Sequence, residues 1–223
     1  MANTCFTSWV LQGPKEDIDK IFRQVEIAIQ NERDELAGKI KLQYKTSFTL
    51  LKNLGANPPE EGVDYRMEFY NSEPEYEENG NTATLTFMTE DAWSANTDVM
   101  SLLKKAFPKV RIFYSCEEDE MAVYFTNDKD SVHFPDRFHV HGSYPDEECI
   151  YEDFKTEKDL LEWVNGEFAD KMKKDHGTVI HADSIKEAKA IDDILQDISE
   201  DSYIYIDDIR LDENAFWLTE EAA

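Results

Sequence analysis

Two strand–helix–strand patterns, separated by an Asn-Gly turn, constrain this chain more tightly than any other feature. "TCFTSWVLQG" (4–13) is β-prone and closes on Gly13, and Pro14 suits a first helical position. Ile18, Ile21, Phe22, Val25 and Ile29 then recur at helical spacing, which predicts an amphipathic helix over 14–35. Residues 40–54 read as a shorter helix capped by Gly55. "ANPPEEG" is a loop, because paired prolines cannot continue a helix. "VDYRMEFYN" (63–71) alternates as a strand. "SEPEYEENGN" is an acidic turn with Asn79-Gly80 at its tip, a pair that tolerates positive φ and favours a tight hairpin. "TATLTFMT" (82–89) is the returning strand. Asn96 is placed to cap a helix with Val99, Leu102, Leu103 and Phe107 as its buried stripe, and "KVRIFYSC" (109–116) alternates again.

The order β-α-(α)-β-β-α-β over 4–116 predicts an α+β fold. Its expected form is a ferredoxin-like split βαβ sandwich, an antiparallel sheet with two helices on one face. C-terminal hairpins and helices extend it. "MAVYF" (121–125) is expected to pair with 110–116, and "RFHVHGSY" (137–144) and "ECIYEDF" (148–154) continue the β pattern. Thr156 with Asp159, and Ser184 with Glu187, announce two further helices by their N-terminal boxes. The first carries Leu160, Val164, Phe168 and Met172; the second carries Ile191, Ile194, Leu195 and Ile198. "SYIYIDDIRL" (202–211) is a last strand. This divides the chain into a ferredoxin-like domain with an extended hairpin over 1–145 and an acidic α/β extension over 146–223 packing on it.

Charge narrows the range of partners. Among 223 residues, 49 are acidic and 23 basic, a formal charge of -26, yet 13 Phe, 10 Tyr and 4 Trp mark a folded body. Residues 1–145 hold 25 acids and 15 bases; residues 146–223 hold 24 and 8, so the C-terminal part is the denser in negative charge. Such a field repels phosphate backbones and anionic lipid and attracts cations and basic proteins. The expected partner is therefore a protein, of basic character, with no direct nucleic acid and no membrane contact. Cys5, Cys116 and Cys149 are too scattered for a disulfide framework or a zinc motif, which suggests reduced thiols in a cytoplasmic protein. The N-terminus lacks the basic and apolar regions of a signal peptide, and no apolar run approaches the ~20 residues of a membrane helix.

Five places carry a family resemblance: the start "MANTC", "LKNLG", "TEDAW", "FPKVRIFYSCEED" and "YFTNDKDSVHFPDRF", together spanning about residues 1–140. In that order they resemble the Api-ninety-two-like family of bacterial proteins, found on phages, plasmids and conjugative elements. The resemblance implies a ferredoxin-like domain and an association with mobile elements. It implies no activity and no cofactor, since three scattered cysteines cannot supply a four-thiolate iron–sulfur site. The family pattern often has a Trp just before the first Cys. Thr4 stands there in this chain, so no role of that Trp carries over.

Several groups are candidates for chemistry. Glu90, Asp91 and Trp93 could hold a cation or a stacking partner; the plainer reading is that Trp93 packs the sheet end while the acids precede a helix N-terminus. With Tyr124 and Asp128 they form the candidate binding surface. Asn127-Asp128 also reads as turn chemistry. Glu117, Glu118, Asp119 and Glu120 read as a solvated hairpin tip. His139 and His141 share one face of a strand, and with His133 or a carboxylate they could bind metal for a metal-dependent enzyme. Phe69, Tyr70, Phe113 and Tyr124 could line an RNA-binding sheet, but the charge and the lack of an RNP pattern oppose it. Nucleophile elbows, Walker loops and dinucleotide fingerprints do not occur. A non-enzymatic accessory or interaction protein is the expected function. Its alternative is a nucleic-acid mimic with an acidic stripe of Asp192, Asp193, Asp197, Glu200, Asp201, Asp207 and Asp208.

Overall fold

The β-prone opening segment becomes the middle strand of a sheet. In the computed structural model, which describes residues 4–69, 73–118, 123–145 and 148–221, β1 (Thr4–Pro14) pairs antiparallel with β4 (Thr82–Ala92) on one side and β5 (Arg111–Glu118) on the other. Between β1 and β4 lie α1 (Lys15–Leu36), α2 (Thr46–Asn53), β2 (Met67–Phe69) and β3 (Glu75–Asn79). After β4 come α3 (Thr97–Ala106), β5 and β6 (Val123–Thr126). The sheet has seven strands in the order β10-β6-β5-β1-β4-β2, with β3 also on β4 and β10 being Arg210–Leu211.

Alternation decides what is buried. Cys5, Thr7, Trp9 and Leu11 of β1 point to one side, with Ala83, Leu85, Phe87, Thr89 and Asp91 of β4. α1 brings Ile18, Ile21, Val25, Ala28 and Ile29 to that side, and α3 brings Val99, Met100 and Leu103, all in one core cluster. Capping follows sequence chemistry: the Asn96 side chain accepts from the Val99 N–H at 3.1 Å, and Gly55, in the left-handed region, ends α2.

Three elements differ from expectation. Only Met67–Phe69 of the 63–71 stretch is strand among the described residues; Asp64 fixes a local turn by accepting from the Arg66 N–H and guanidinium. The acidic "turn" contains β3, whose Tyr76 packs on Phe22 and whose hairpin closes over Gly80-Asn81. The expected tip at Glu117–Glu120 is also different. Glu117 and Glu118 are strand residues, Glu118 is buried, and Asp119 and Glu120 lie outside the described residues.

The chain divides into two units, Met1–Phe134 with Leu211–Ala223, and Pro135–Arg210. The division falls at 134/135 rather than 145/146, and the C-terminus returns to the first unit. A 3-10 helix (Glu213–Thr219) buries Ala215 and Leu218 in the first core. Arg111 donates to the Thr219 carbonyl at 2.9 Å, and Tyr114 donates to Asp212. The buried Asn127 side chain accepts from the Tyr114 N–H and donates to the carbonyls of Ile112 and Ala215.

The second unit has a three-stranded antiparallel sheet in the order β8-β7-β9, from β7 (Phe138–Ser143), β8 (Cys149–Phe154) and β9 (Tyr203–Asp208). α4 (Glu157–Trp163), a π segment (Val164–Phe168) and α5 (Ala169–His176) run without a break. The second boxed helix is split at Ala190 into α6 (Ile185–Lys189) and α7 (Ile191–Ile198). Both boxes cap as expected, Thr156 accepting from Asp159 N–H and Ser184 from Glu187 N–H. Leu160, Val164, Phe168 and Met172 are all buried, although a spacing of four advances an α-helix about 40° past each full turn. The wider π turn takes up part of that drift, which keeps the four on one stripe.

Gly142 sits in the middle of β7, opposite Ile150 and Ile204. A Cβ there would overlap the Tyr203 carbonyl oxygen and meet the Ile204 Cα at 3.0 Å, both backbone atoms. Gly142→Ala is therefore expected to force β7 and β9 apart and cost about 3 kcal/mol or more. Urea unfolding of the variant against the parent checks it; an unchanged midpoint contradicts the β7–β9 register.

Candidate functional site

The stretch around Glu90 is not a turn before a helix: Glu90 and Asp91 are the two residues before the last of β4, and their side chains part to opposite faces. Asp91 is buried. Its Oδ2 accepts from the hydroxyls of Thr7 (2.7 Å) and Thr89 (3.1 Å) and from the Asn96 N–H (3.2 Å), while Oδ1 has no partner among the described residues. Thr89 also accepts from the Trp9 ring N–H at 2.8 Å. Burial pushes the Asp91 carboxyl up to about 6 despite these donors. In the same patch the neighbouring Cys116 thiol and burial raise Cys5, which makes it an unreactive thiol. Trp93 does not pack the sheet end. It is 54% exposed and holds φ +72, a conformation that costs a bulky residue.

The five-residue candidate surface is not brought together. Asp91, Tyr124 and Asp128 are buried. Asp128 is turn chemistry, accepting from the N–H groups of His133 (2.6 Å) and Phe134 (2.8 Å). Phe69 and Phe113 are buried too, and Tyr70 lies outside the described residues, so the aromatic RNA platform does not form from them.

Glu90 instead lines a cleft of about 770 Å³ beside β2, the last strand of the sheet. The C-terminal part of α1, the 42–46 segment and β2 form its walls. Leu36, Leu42 and Tyr44 supply accessible apolar surface beside the buried Ile29, Met67 and Phe69; Glu32, Glu35, Glu68, Glu90, Arg33 and Lys45 supply the charge. Lys45 pairs with Glu68 at 3.1 Å, and Glu35 accepts from the Leu42 N–H at 2.9 Å. Burial pushes the Glu32 carboxyl up to about 7, opposed by hydrogen bonds from the Thr46 hydroxyl and the Phe69 N–H. Sequence reading missed this site. Its signal was Glu32 itself, a charge at the next stripe position after Ile18, Ile21, Val25 and Ile29.

His139 and His141 do share a face of β7, as their spacing requires. The His139 Nδ1 lies 2.7 Å from Asp153 of β8. His141 Nε2 lies 3.4 Å from Asp207 of β9 without hydrogen-bond geometry. The two rings stack with centroids 5.6 Å apart. Among the described residues, no three His, Cys, Asp or Glu side chains group to hold a metal ion. His133 belongs to the first unit, edge-on to Phe113, with burial lowering its pKa. The same face of the second sheet carries Tyr151 (61% exposed), Tyr203 (37%) and Tyr205 (48%), the last two 5.3 Å apart.

The acidic stripe separates into two groups. Asp192 accepts from the Ile204 N–H and from Gln196, Asp207 approaches His141, and Asp208 pairs with Lys189 at 2.9 Å. Asp193, Asp197, Glu200 and Asp201 are the exposed remainder.

An unfolded Asp titrates near 3.8, so the folded chain holds the Asp91 proton more tightly between about pH 4 and 6. Stability falls as pH rises through that window. Asp91→Asn is expected to remove this slope, so that the parent loses on the order of 3 kcal/mol relative to the variant between pH 4 and 8. Urea unfolding of both proteins at the two pH values measures it. Comparison with known protein families, with curated proteins and with solved structures finds no match for this chain.

Proposed function

We propose that the protein is a non-enzymatic, cytoplasmic interaction protein that binds an arginine-rich segment of a basic protein on the tyrosine-bearing face of its second sheet. The carrying observation is the composition of that face: Tyr151, Tyr203 and Tyr205 exposed, with Asp153 and Asp207 in register beside them on β8 and β9. Helices fill the other face with Val140, Ile150, Ile204 and Ile206. Guanidinium groups stack on tyrosine rings and pair with carboxylates, which a lysine ammonium does less well. The unit around the face, 135–210, holds 21 acids and 9 bases. Its field favours a cationic partner and speeds encounter.

The first unit supports a scaffold role. Its strand order β5-β1-β4-β2, with α1 leaving β1 and α3 leaving β4, is consistent with a ferredoxin-like arrangement. Together with the motif resemblance described above, it favours an accessory protein of a bacterial mobile element. Among the described residues no helix is long and apolar enough to cross a membrane.

Fluorescence anisotropy with a labelled nona-arginine peptide tests the proposal, with nona-lysine as control. Arginine is expected to bind more tightly. Tyr203→Ala and Tyr205→Ala should each weaken it about threefold, consistent with roughly 0.7 kcal/mol per exposed cation–π contact. Equal affinity for the two peptides, unaffected by either substitution, would reduce the face to bulk charge.

A further inference from the structure

We propose that the cleft beside β2 in the first unit binds a linear aliphatic polyamine. Its volume, about 770 Å³, falls in the range of small-molecule sites. Its walls are of two kinds. Leu36, Leu42 and Tyr44 offer apolar surface suited to a methylene chain, while four glutamates share the lining with two basic residues.

The arrangement of charge points to a cation with more than one ammonium. Glu68 and Glu90 stand directly opposite each other in the β2–β4 register. Like charges across a strand pair repel. Lys45 compensates Glu68, but the Glu90 carboxylate has no hydrogen-bonding or ionic partner among the described residues. Deeper in the cleft, Glu32 has hydrogen-bond donors from Thr46 and Phe69 but is held partly protonated at neutral pH by burial and by the charge of Glu68, against the weaker opposing pull of Lys45. One ammonium beside Glu90 and a second beside Glu32 would balance both defects, with the chain between them on the apolar wall. A hydrated divalent ion gains nothing from that wall, and the described residues offer it no group of three ligands. An anionic ligand meets a net negative lining.

A proton count distinguishes this site from general attraction to an acidic protein. An ammonium beside Glu32 favours its carboxylate, so binding near pH 7 should release a proton, and affinity should rise between about pH 6 and 8. Glu35, Arg33, Lys45, Glu68 and Glu90 are the other charged groups lining the cleft, and the loss of proton release in Glu32→Gln assigns the proton to Glu32.

Isothermal titration of the full chain with spermidine, in two buffers of different ionisation enthalpy, is the experiment. Saturable one-to-one binding with proton release is expected. Glu32→Gln, an isostere of the protonated side chain, should weaken binding about tenfold and abolish the proton release. Glu90→Gln, at a partly exposed strand position, should weaken binding by a similar factor and leave the release intact. Circular dichroism establishes that both variants fold; if Glu32→Gln does not, the Glu90→Gln result decides. Absence of saturable heat overturns the proposal. So does equal binding of magnesium at matched ionic strength, equal binding of a lysine-containing peptide, or spermidine affinity indifferent to Glu90→Gln.

Discussion

The first unit depends on β1 being hydrogen-bonded along both edges at once. β4 follows it from Thr4↔Ala92 to Pro14↔Thr82, and β5 follows it from Phe6↔Glu117 to Gln12↔Arg111. A strand in that position needs one face wholly apolar or internally satisfied. The chain uses both solutions. Leu11, Trp9 and Cys5 are apolar or nearly so, and the polar remainder is closed by Trp9 donating to Thr89, and Thr89 and Thr7 donating to Asp91. A network of this kind, anchored by a single carboxylate, specifies the β1–β4 register, because a one-residue slip would carry every partner to the opposite face.

Negative charge has two distinct fates in the molecule. On the second unit it is distributed among lysines and histidines and on exposed turns, where pairs such as Lys189–Asp208 contribute little to stability. In the first unit most carboxylates are exposed as well, but Glu32, Asp91 and Glu118 are enclosed, and burial raises the pKa of the first two. The composition alone gives no hint of this difference, since solvated and enclosed carboxylates are the same letters.

Much of the architecture was legible. α1, α3 and the three long strands of the first sheet obey their periods, and Asn96, Thr156 and Ser184 cap where their chemistry placed them. The failures share a cause, which is that local composition was allowed to overrule pairing. β3 looked like a turn because it is acidic, yet an edge strand needs only Tyr76 on its inner side. The C-terminal "AFWL" had no periodic context, and only the first core explains it. The sites were less legible still. Alternation in "SYIYIDD" placed Tyr203, Tyr205 and Asp207 on one side of a strand, but which side meets helices depends on residues far away, such as Leu160 and Leu195. The cleft could not be found from any one segment, because it joins a helix end, a loop and two strands.

The π turn at Val164–Phe168 holds one residue more than an α turn would. It also places Asn165 to bond both the N–H and the carbonyl of Ala182, fastening the crossing segment to the helix. Excising one residue there would let the turn relax to ordinary α geometry and leave Met172 eleven positions after Leu160, about 20° past three full turns, so the buried face would survive. The same excision within α5, before Met172, would instead swing Met172 out of the core by about 100° and carry a lysine toward it. The helix therefore tolerates the loss of a residue at its π turn and resists it in the α segment that follows.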